Sequence, residues 1–546
     1  MRIGLAALAL LSLLVLFAGL RNVGWLDVRE ARDQAVAIEM IDRREPLTPV
    51  LGGDPLFDKP VLGYALNVAC ALRTDGGPVA PRTAHALVAV ALAAVTGLLG
   101  GRLFGARAGI LSAGVLLTMT GLPFAARTDG TQLQATLLGW IACAAFAEPL
   151  LRRHRGRARR LVTAWAALGF AMLVGGPLPA LWPLAGIALF LMLRRTGGWG
   201  ALQPVSGVVL ALAIALPWYA SSLDSHGAPF ARALWFFPYA ANPRISWLRG
   251  PVDAFTSLAA CGYPWSAMLP AAALHAASWW RTPGQRGAPA RPAGDGPSFV
   301  VAEVEAQLQH EAAAYLMIAW LVAGVLPVLF YPRPPLGAVL PALPAIALLC
   351  GRLVDHLLED PARLRPLVAS AARLLALVGT ALAVFATVAA TRLPEAGDAL
   401  RLFAAVSLIA AWGPFLASFM SRSRLAALLF ALPVATGAPL VTMRVLPELE
   451  GYLDTRAVAE RIMKTSPVDA AIVLVDAPPP SLRLYTWRNL VIERPGPASF
   501  ARWRASDGAT WLAFAPAREV QIVRAAGDAL DVLLRTPTLV LARVRG

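Results

Sequence analysis

Lysine is nearly absent from this 546-residue chain, although 49 of its residues are lysine or arginine. Only Lys59 and Lys464 are lysines, and arginine fills every other such position. A lysine kept in an arginine-rich sequence indicates a site that needs a compact ammonium group rather than a planar guanidinium, with chance as the alternative. Lys59 lies in a polar stretch between two apolar ones, which makes it a candidate functional residue.

Cysteine is also scarce, with four residues in no paired spacing and no metal-binding signature. This excludes a disulfide-rich scaffold and a zinc module of recognisable spacing. Cys143 and Cys350 fall within apolar stretches, whereas Cys70 and Cys261 fall near the predicted outer interface. A bridge between Cys70 and Cys261 is therefore the one disulfide that stays open.

Charged residues make up only 15% of the chain, and hydrophobic residues make up 57%. Apolar stretches of about twenty residues, the length of a helix that crosses a bilayer, recur along the sequence. They predict an α-helical polytopic membrane protein with about thirteen transmembrane helices. The predicted spans are 3–20, 82–99, 106–122, 133–150, 161–174, 178–193, 204–220, 255–274, 313–330, 336–354, 367–389, 400–418 and 425–443.

Arginine-rich loops predict the orientation of these spans. The loops at 152–160, 279–309 and 352–365 are rich in arginine, so the positive-inside rule places them and the N-terminus in the cytoplasm. The first outer loop, 21–81, then lies outside with the C-terminal tail. The net charge of +16 is interpreted as a signal of topology and lipid headgroups. Nucleic-acid binding is disfavoured, because the basic residues lie in scattered short loops.

Outside the spans, the sequence predicts two kinds of structure. In the first outer loop, stretches at 27–44 and 62–72 have the pattern of helices that lie at the membrane surface. The tail from about residue 446 predicts a small α/β domain over 446–546, next to a membrane domain over 1–445. Its predicted strands are 471–475, 490–492, 510–514 and 538–543, and its predicted helices are 454–463, 497–506 and 517–525.

Acidic residues are nearly absent from the predicted spans. Transporters place ionisable residues at membrane depth, along the path of the ion or substrate. Here the acids collect at the predicted outer interface, which favours an enzyme at the membrane surface over a transporter. They are Asp27, Glu30, Asp33, Glu39, Asp54, Asp58, Asp129, Asp224 and Asp253.

Three of these acids are candidate catalytic residues. Asp27 and Glu30 have the spacing of a capping box at a helix start, but either also suits a general base at the mouth of a membrane cavity. Asp129 lies between two predicted spans, directly after Arg127 and Thr128, with helix capping as its alternative. Arg127 is able to hold a phosphate.

The first outer loop resembles that of glycosyltransferase family 39, a group of GT-C membrane enzymes that includes protein O-mannosyltransferases and the lipid A aminoarabinose transferase. Each motif is weak alone, but the set is specific and covers the whole membrane part, and the tail resembles the soluble domain of that group. The loop motifs are Glu30-Ala31-Arg32, Glu39-Met40, Pro49, Gly52 or Gly53, Phe57-Asp58-Lys59-Pro60 and Tyr64. Later motifs are Arg82, Arg127-Thr128-Asp129, Leu216-Pro217-Trp218-Tyr219, Pro264-Trp265-Ser266 and Leu340-Pro341-Ala342-Leu343-Pro344.

The resemblance implies a GT-C fold and inverting transfer of a sugar from a polyprenyl-phosphate donor to a lipid, glycan or protein, at the outer face of a bacterial inner membrane. It implies that Glu30 or Asp27 acts as the base and that Asp129 helps to hold acceptor, sugar or metal. No cofactor is expected for certain, and a divalent cation stays open because one or two carboxylates and a phosphate suffice for Mg²⁺. The expected phosphate ligands are Lys59, Arg82, Arg127 and Arg244, and the expected cavity residues are Asp58, Tyr64, Trp218 and Tyr219.

Three departures from the family pattern leave other functions open. Counting back from Lys59, Arg29 stands where the family has its first acid, and Glu30 matches the second. The segment 239–244 lacks a Glu-His pair that the family often shows, and 333–337 lacks its K-x-x-x-Y element. These two losses fall in regions expected to touch the acceptor, so the acceptor is not carried over from the family. The Arg29 departure keeps a non-catalytic membrane scaffold open, and a lipid or sugar transporter of related fold is the other alternative.

Overall fold

The structure is a computed structural model of the chain. It describes residues 2–26, 29–74, 77–151, 157–194, 198–236, 249–278, 297–329, 336–467, 472–475, 480–486, 490–493, 510–526 and 530–544. The helices up to residue 278 are α1 (Arg2–Ser12), α2 (Glu30–Asp42), α3 (Ala65–Ala71), α4 (Val79–Phe104), α5 (Ala106–Leu117), α6 (Gly121–Thr128), α7 (Gly130–Leu151), α8 (Arg157–Gly175), α9 (Leu178–Arg194), α10 (Pro204–Phe236), α11 (Arg249–Gly262) and α12 (Leu269–Ser278). Those that follow are α13 (Pro297–Leu329), α14 (Leu343–Glu359), α15 (Pro361–Arg392), α16 (Gly397–Phe419), α17 (Ser423–Leu429), α18 (Leu432–Leu440), α19 (Leu446–Glu448), α20 (Glu450–Leu453), α21 (Arg456–Thr465), α22 (Pro480–Thr486) and α23 (Glu519–Ala526).

The predicted α-helical polytopic membrane fold is confirmed. Within the described residues, eight helical segments are long and apolar enough to cross a bilayer, or nine if α5 and α6, bent by 56°, form one span. Three further apolar helices are shorter, at Arg2–Phe17, Leu178–Arg194 and Glu311–Leu326. The count of thirteen is not confirmed. One predicted span, 255–274, is divided into α11 and α12 by a 3-10 turn at Trp265–Ala267.

The centre of the membrane part is α14, nearly all of whose residues are buried. It packs against α5, α12 and α13, and the surrounding core includes the fully buried side chains of Trp140, Phe146 and Trp320. The first half of α14, from Leu343 to Gly351, is apolar on all sides, which suits such a central position. Other spans, such as α15, keep large apolar side chains on the outside, as expected for helices that face lipid.

The first outer loop contains α2 and α3, as predicted, joined by a hairpin of β1 (Val50–Leu51) and β2 (Asp54–Pro55) and by a 3-10 turn at Val61–Gly63. Gly52 and Gly53 form the hairpin turn with φ of 69° and 94°, values that favour glycine. The side chain of Glu39 accepts hydrogen bonds of 2.8 Å from both of their N–H groups. Helix α2 begins at Glu30, so Glu30 is its first residue and not the third residue of a capping box.

The tail forms a mixed five-stranded sheet in the order β4-β3-β5-β7-β6. Its strands are β3 (Ile472–Val475), β4 (Leu490–Glu493), β5 (Thr510–Phe514), β6 (Leu530–Arg535) and β7 (Val540–Val544). β3 is parallel to β4 and β5, whereas β7 is antiparallel to β5 and β6. Alternate residues of the central strands enter two separate apolar clusters, one of them against α21 and the other against α23.

Four of these strands match the predicted ones, and β6 and α22 are additions. The predicted helix at 497–506 lies outside the described residues, and the domain boundary at residue 446 stays a prediction. Cys70 and Cys261 are both free thiols, so the disulfide left open above does not form in this structure.

The sheet and its helices, called the C-terminal unit below (residues 454–544), contact the first outer loop. The backbone N–H of Trp25 donates to the Tyr485 hydroxyl at 2.8 Å, and Arg483 pairs with Glu39 at 2.9 Å. Just before the unit, Glu450 accepts a hydrogen bond of 3.0 Å from the N–H of Gly24. Residues near the C-terminal end of the chain therefore contact the first outer loop at two places, its start at Gly24 and Trp25 and the last turns of α2 at Glu39.

Candidate active site

Glu30 and Arg82 form a buried, two-pronged ion pair between the start of α2 and the first turn of α4. The distances are 2.6 Å from Arg82 Nε to Oε1 and 2.8 Å from Nη2 to Oε2. Burial raises the pKa of Glu30, and the charge of Arg82 opposes that shift. The remaining Arg82 N–H groups donate to three backbone carbonyls, those of Leu20, Val23 and Gly24. All five N–H groups of Arg82 are thus used within the protein.

Lys59 lies at the centre of a second group of charges. Its Nζ is 2.5 Å from Asp33 Oδ2 and 2.8 Å from Thr131 Oγ1 at the start of α7, and it lies 4.3 Å from the ring centroid of Tyr64. The side chains of Lys59 and Asp33 are 11% and 9% exposed. Burial raises the pKa of Asp33, and the Lys59 ammonium counteracts this. An ammonium with a carboxylate, a hydroxyl and an aromatic face is a compact polar site.

A glycine lets this part of the loop approach the membrane helices. A side chain at Gly63 would come 2.6 Å from the backbone oxygen of Val174 in α8. The carbonyl of Gly63 accepts a 3.1 Å hydrogen bond from the Thr131 hydroxyl. The turn therefore packs directly on the helices and sets Lys59 beside the start of α7.

Asp58 is held by two neighbours in the loop. The Tyr64 hydroxyl donates to Asp58 Oδ1 at 2.6 Å, and Arg32 pairs with Oδ2 at 2.8 Å. Tyr64 is fully buried, and burial, followed by the charge of Asp58, raises the pKa of its hydroxyl.

Asp129 precedes α7 and pairs with Arg29. The distance from Arg29 Nη1 to Asp129 Oδ2 is 2.9 Å, with the two side chains 41% and 5% exposed. Asp129 Oδ1 also accepts a 3.3 Å hydrogen bond from the N–H of Gln132, so Asp129 caps α7 as well. The cation at position 29, where the family resemblance predicts an acid, thus binds the acid that the resemblance places at position 129.

These residues form one group, called the charge cluster below: Arg29, Arg32, Asp33, Asp58, Lys59 and Asp129. The carboxylates of Asp58 and Asp129 are close enough to Asp33 that their charges raise its pKa further. Exposure increases from Lys59 and Asp33 toward Arg32 and Arg29. The cluster is therefore a charged site at the outer-loop end of the membrane helices, with its guanidinium groups nearest the solvent.

The other predicted site residues lie elsewhere. The Nη groups of Arg127 donate to the backbone carbonyls of Leu16, Ala18 and Pro123. Trp218 donates to the Leu47 carbonyl at 3.0 Å and Tyr219 to the Met172 carbonyl at 2.8 Å, and both rings pack with Phe57 and Phe230 in an apolar cluster. Asp27 and Arg244 lie outside the described residues.

Asp58, Lys59, Tyr64 and Asp129 are predicted site residues that the structure brings together, but two of their partners are not predicted from the sequence. Asp33 is one of nine acids predicted at the outer interface, with nothing to distinguish it from the others, and Thr131 belongs to none of the family motifs. Within the described part of the chain, no three His, Cys, Asp or Glu side chains converge as a metal site. The divalent cation stays an untested prediction.

Comparison with known proteins gives matches in structure only: no protein-family model and no curated protein matches the sequence. The fold is similar to that of ArnT from Cupriavidus metallidurans bound to undecaprenyl phosphate, with a TM-score of 0.76 at 18% identity over 99% of this chain and 97% of that one. The apo state of ArnT gives 0.74 at 19% identity over the same shares.

A second similar structure is the apo oligosaccharyltransferase of Archaeoglobus fulgidus. Its TM-score is 0.51 at 11% identity, covering 96% of this chain and 71% of that one. Both proteins are GT-C glycosyltransferases. The resemblance drawn from the sequence motifs is therefore confirmed at the level of the fold, and the chain has the GT-C fold.

Proposed function

We propose that this protein is an integral-membrane glycosyltransferase of a bacterial inner membrane. It moves a sugar from a polyprenyl-phosphate donor to a lipid, glycan or protein acceptor at the extracytoplasmic face, by inverting displacement. The observation that carries the proposal is the charge cluster around Lys59, at the outer-loop end of a GT-C fold. ArnT, which has a similar fold, binds undecaprenyl phosphate.

The cations of the cluster suit the phosphate of the sugar donor. Lys59 is the one lysine of the predicted membrane domain, and Arg32 and Arg29 lie nearer the solvent. A phosphate bound here would attract the Lys59 ammonium away from Asp33. Positive charge placed where the leaving phosphate gains negative charge lowers the barrier of the transfer step.

Asp33 fits the base better than Glu30 does, because the contacts of Asp33 with Lys59 and Thr131 are at Oδ2, whereas Arg82 holds both carboxylate oxygens of Glu30. Asp129 is a candidate through the family resemblance, although Arg29 and the N–H of Gln132 each contact one of its oxygens. In the proposed step, the oxygen of an acceptor hydroxyl bonds to the anomeric carbon on the face opposite the phosphate. The bond from that carbon to the phosphate oxygen breaks, and its electron pair leaves with the lipid phosphate. The hydroxyl proton passes to Asp33 or Asp129.

A non-catalytic membrane scaffold is the second candidate, and Arg29 favours it. This guanidinium neutralises Asp129, and the other two acids of the charge cluster are also paired. Against the scaffold, Asp129 and Glu30 are buried rather than directed into solvent.

The test is transfer of radiolabelled sugar from purified undecaprenyl-phosphate sugars to a membrane lipid extract. We expect Lys59→Ala to lower the rate about a hundredfold, the usual effect of losing one transition-state partner. The matched control is Lys464→Ala, since Lys464 is the other lysine and its side chain is 74% exposed in α21. The control should transfer like the wild type.

Three carboxylate variants locate the base. We expect Asp33→Asn or Asp129→Asn to abolish transfer. Glu30→Gln should act mainly through stability. If the wild type transfers label and Lys59→Ala, Asp33→Asn and Asp129→Asn all do so equally well, the chemistry lies outside the charge cluster. No transfer by the wild type from any sugar donor would favour the scaffold.

A further inference from the structure

A cavity of about 150 Å³ lies between α4, α7 and α8, at the ends of these helices that are far from the charge cluster. One water needs roughly 10–15 Å³, whereas a site for a drug-sized molecule has about 300–1,000 Å³. The cavity therefore suits a group of intermediate size, such as a phosphate. Its lining combines the charged residues Arg102, Glu148 and Arg160 with apolar ones that include Leu99, Leu103 and Leu151.

The charged residues of the cavity lie close to the ends of three helices that are long and apolar enough to cross a membrane. Arg102 lies in the last turn of α4, Glu148 in the last turn of α7, and Arg160 in the first turn of α8. The ends of spanning helices reach the headgroup region of a bilayer. At 1.5 Å per residue, Glu148 is about 30 Å along α7 from Asp129, so the cavity belongs to the other membrane surface, which the arginine-rich loop at 152–160 predicts to be cytoplasmic.

The charges of the cavity favour an anion. Arg160 pairs with Glu148, and their side chains are 34% and 20% exposed. Partly exposed pairs of this kind contribute little to stability, so a stronger acceptor can replace the carboxylate. With Arg102 the lining has two positive charges and one negative charge. Phosphate is a strong acceptor for arginine, because a guanidinium donates two parallel hydrogen bonds to it.

The apolar part of the lining distinguishes a lipid from a soluble phosphate. Leu99 and Leu103 lie on α4 on either side of Arg102. Leu98, next to Leu99, is 62% exposed, as expected for a side chain that faces lipid. A ligand with a charged head and an apolar body can use both parts of this surface, whereas a free phosphate ion can use only the charged part.

We propose that this cavity binds the phosphate headgroup of an anionic phospholipid. Basic pockets between spanning helices on the cytoplasmic side bind lipid headgroups of this kind, and the cytoplasmic leaflet carries anionic lipids. The bound headgroup contacts α4 through Arg102 and α8 through Arg160, so it connects two helices at their cytoplasmic ends. The inference does not depend on the proposed glycosyl transfer.

The experiment measures lipid binding by the full-length protein in a neutral detergent. Native mass spectrometry gives its affinity for anionic phosphatidylglycerol and for zwitterionic phosphatidylcholine. We expect the wild type to bind phosphatidylglycerol more tightly. Inorganic phosphate is added as a competitor and should displace phosphatidylglycerol poorly, because it makes no contact with the apolar part of the lining.

Three variants change the charges of the cavity. Arg102→Gln and Arg160→Gln should each weaken the binding of phosphatidylglycerol roughly fivefold, the usual effect of one basic residue near a lipid headgroup. Glu148→Gln should strengthen it, because the carboxylate no longer competes for Arg160. The matched control is Arg365→Gln, since Arg365 is an exposed arginine near the start of α15, and this variant should bind the lipid like the wild type.

Equal affinity for phosphatidylglycerol in the wild type, Arg102→Gln and Arg160→Gln overturns the site. A wild type that binds both lipids equally well also overturns it. Thermal unfolding without added lipid checks that the arginine variants are folded, and if they are not, a failure of Glu148→Gln to gain affinity overturns the site instead. Complete displacement by inorganic phosphate would overturn the lipid and assign the cavity to a soluble phosphate compound.

Discussion

Glu30 and Arg82 belong to the motifs of the family resemblance, yet in the structure they bind each other. Removing one partner of a buried ion pair leaves the other charge buried and uncompensated, which costs about 3–5 kcal/mol. The pair also fixes the segment that follows the first apolar helix, through the three carbonyls that Arg82 contacts. Its main contribution is thus to the stability of the outer loop.

This gives a prediction for Arg82→Ala. The variant should lose about 3–5 kcal/mol of unfolding free energy, measured by thermal unfolding in detergent. The control is Arg401→Ala, because Arg401 pairs with Asp398 on an exposed helix end and such pairs contribute little. A variant Glu30→Gln that unfolds like the wild type but fails in transfer would contradict this view and return Glu30 to the chemistry.

At this scale the sequence identifies side chains but not their partners. Lys59 stands out because lysine is so rare, and Asp58, Tyr64 and Asp129 follow from motifs. The contact between Arg29 and Asp129 joins residues 100 positions apart. It depends on how α2 lies against the start of α7, which no local pattern encodes. Asp33 is missed for the same reason. Only its contact with Lys59 in the folded structure distinguishes it from the other acids of the first outer loop.

Among the elements, α22 of the C-terminal unit makes the decisive contact with the first outer loop. Its Tyr485 hydroxyl accepts from the N–H of Trp25 and donates to Asp454 Oδ2 at 2.9 Å. Burial raises the pKa of this hydroxyl, so it stays protonated and able to donate at neutral pH. One hydroxyl therefore connects the start of the first outer loop to the start of the C-terminal unit at Asp454.

We expect Tyr485→Phe to loosen the loop. The change leaves the Trp25 N–H and the Asp454 carboxylate without this partner, so local opening should become easier by about 1–3 kcal/mol. Faster hydrogen exchange in residues 24–44 is the measurement. Tyr452→Phe is the control, since Tyr452 is 38% exposed and its change should leave exchange in the loop as it is. Equal exchange in both variants would show that the unit does not hold the loop.

The elements themselves are predicted well where their pattern is long or regular. The strands β3, β4, β5 and β7 follow from short apolar runs. β6 is missed because, as an edge strand, it carries charged residues and is only half-buried. The break between α11 and α12 is also missed, since average hydropathy is high on both sides of it and does not register a turn.

For the whole molecule, the untested prediction is its orientation. Cys70 offers a natural probe, because it is a free, partly exposed thiol in the first outer loop, whereas the other three cysteines are buried. Burial raises the pKa of this thiol, so labelling should be slow at neutral pH and faster in alkaline buffer, where more thiolate is present.

A membrane-impermeant maleimide should therefore label Cys70 in intact spheroplasts. Cys70→Ser provides the control and should remain unlabelled. If labelling of the wild type occurs only after the membrane is permeabilised, the loop lies in the cytoplasm. The positive-inside assignment would then be wrong, and with it the proposed extracytoplasmic site.

The hydrogen bond from Trp25 to Tyr485 joins residues 460 positions apart, and this has a consequence for biogenesis. During translation, the outer loop emerges and its flanking helices insert long before Tyr485 has been synthesised. The loop must therefore wait in an unfinished state until nearly the whole chain has left the ribosome. A nascent chain stalled before α22 would already contain Arg82, which contacts the carbonyls of Leu20, Val23 and Gly24, but it would lack the hydrogen bond from Trp25 to Tyr485. The outer loop therefore reaches its final structure only near the end of synthesis.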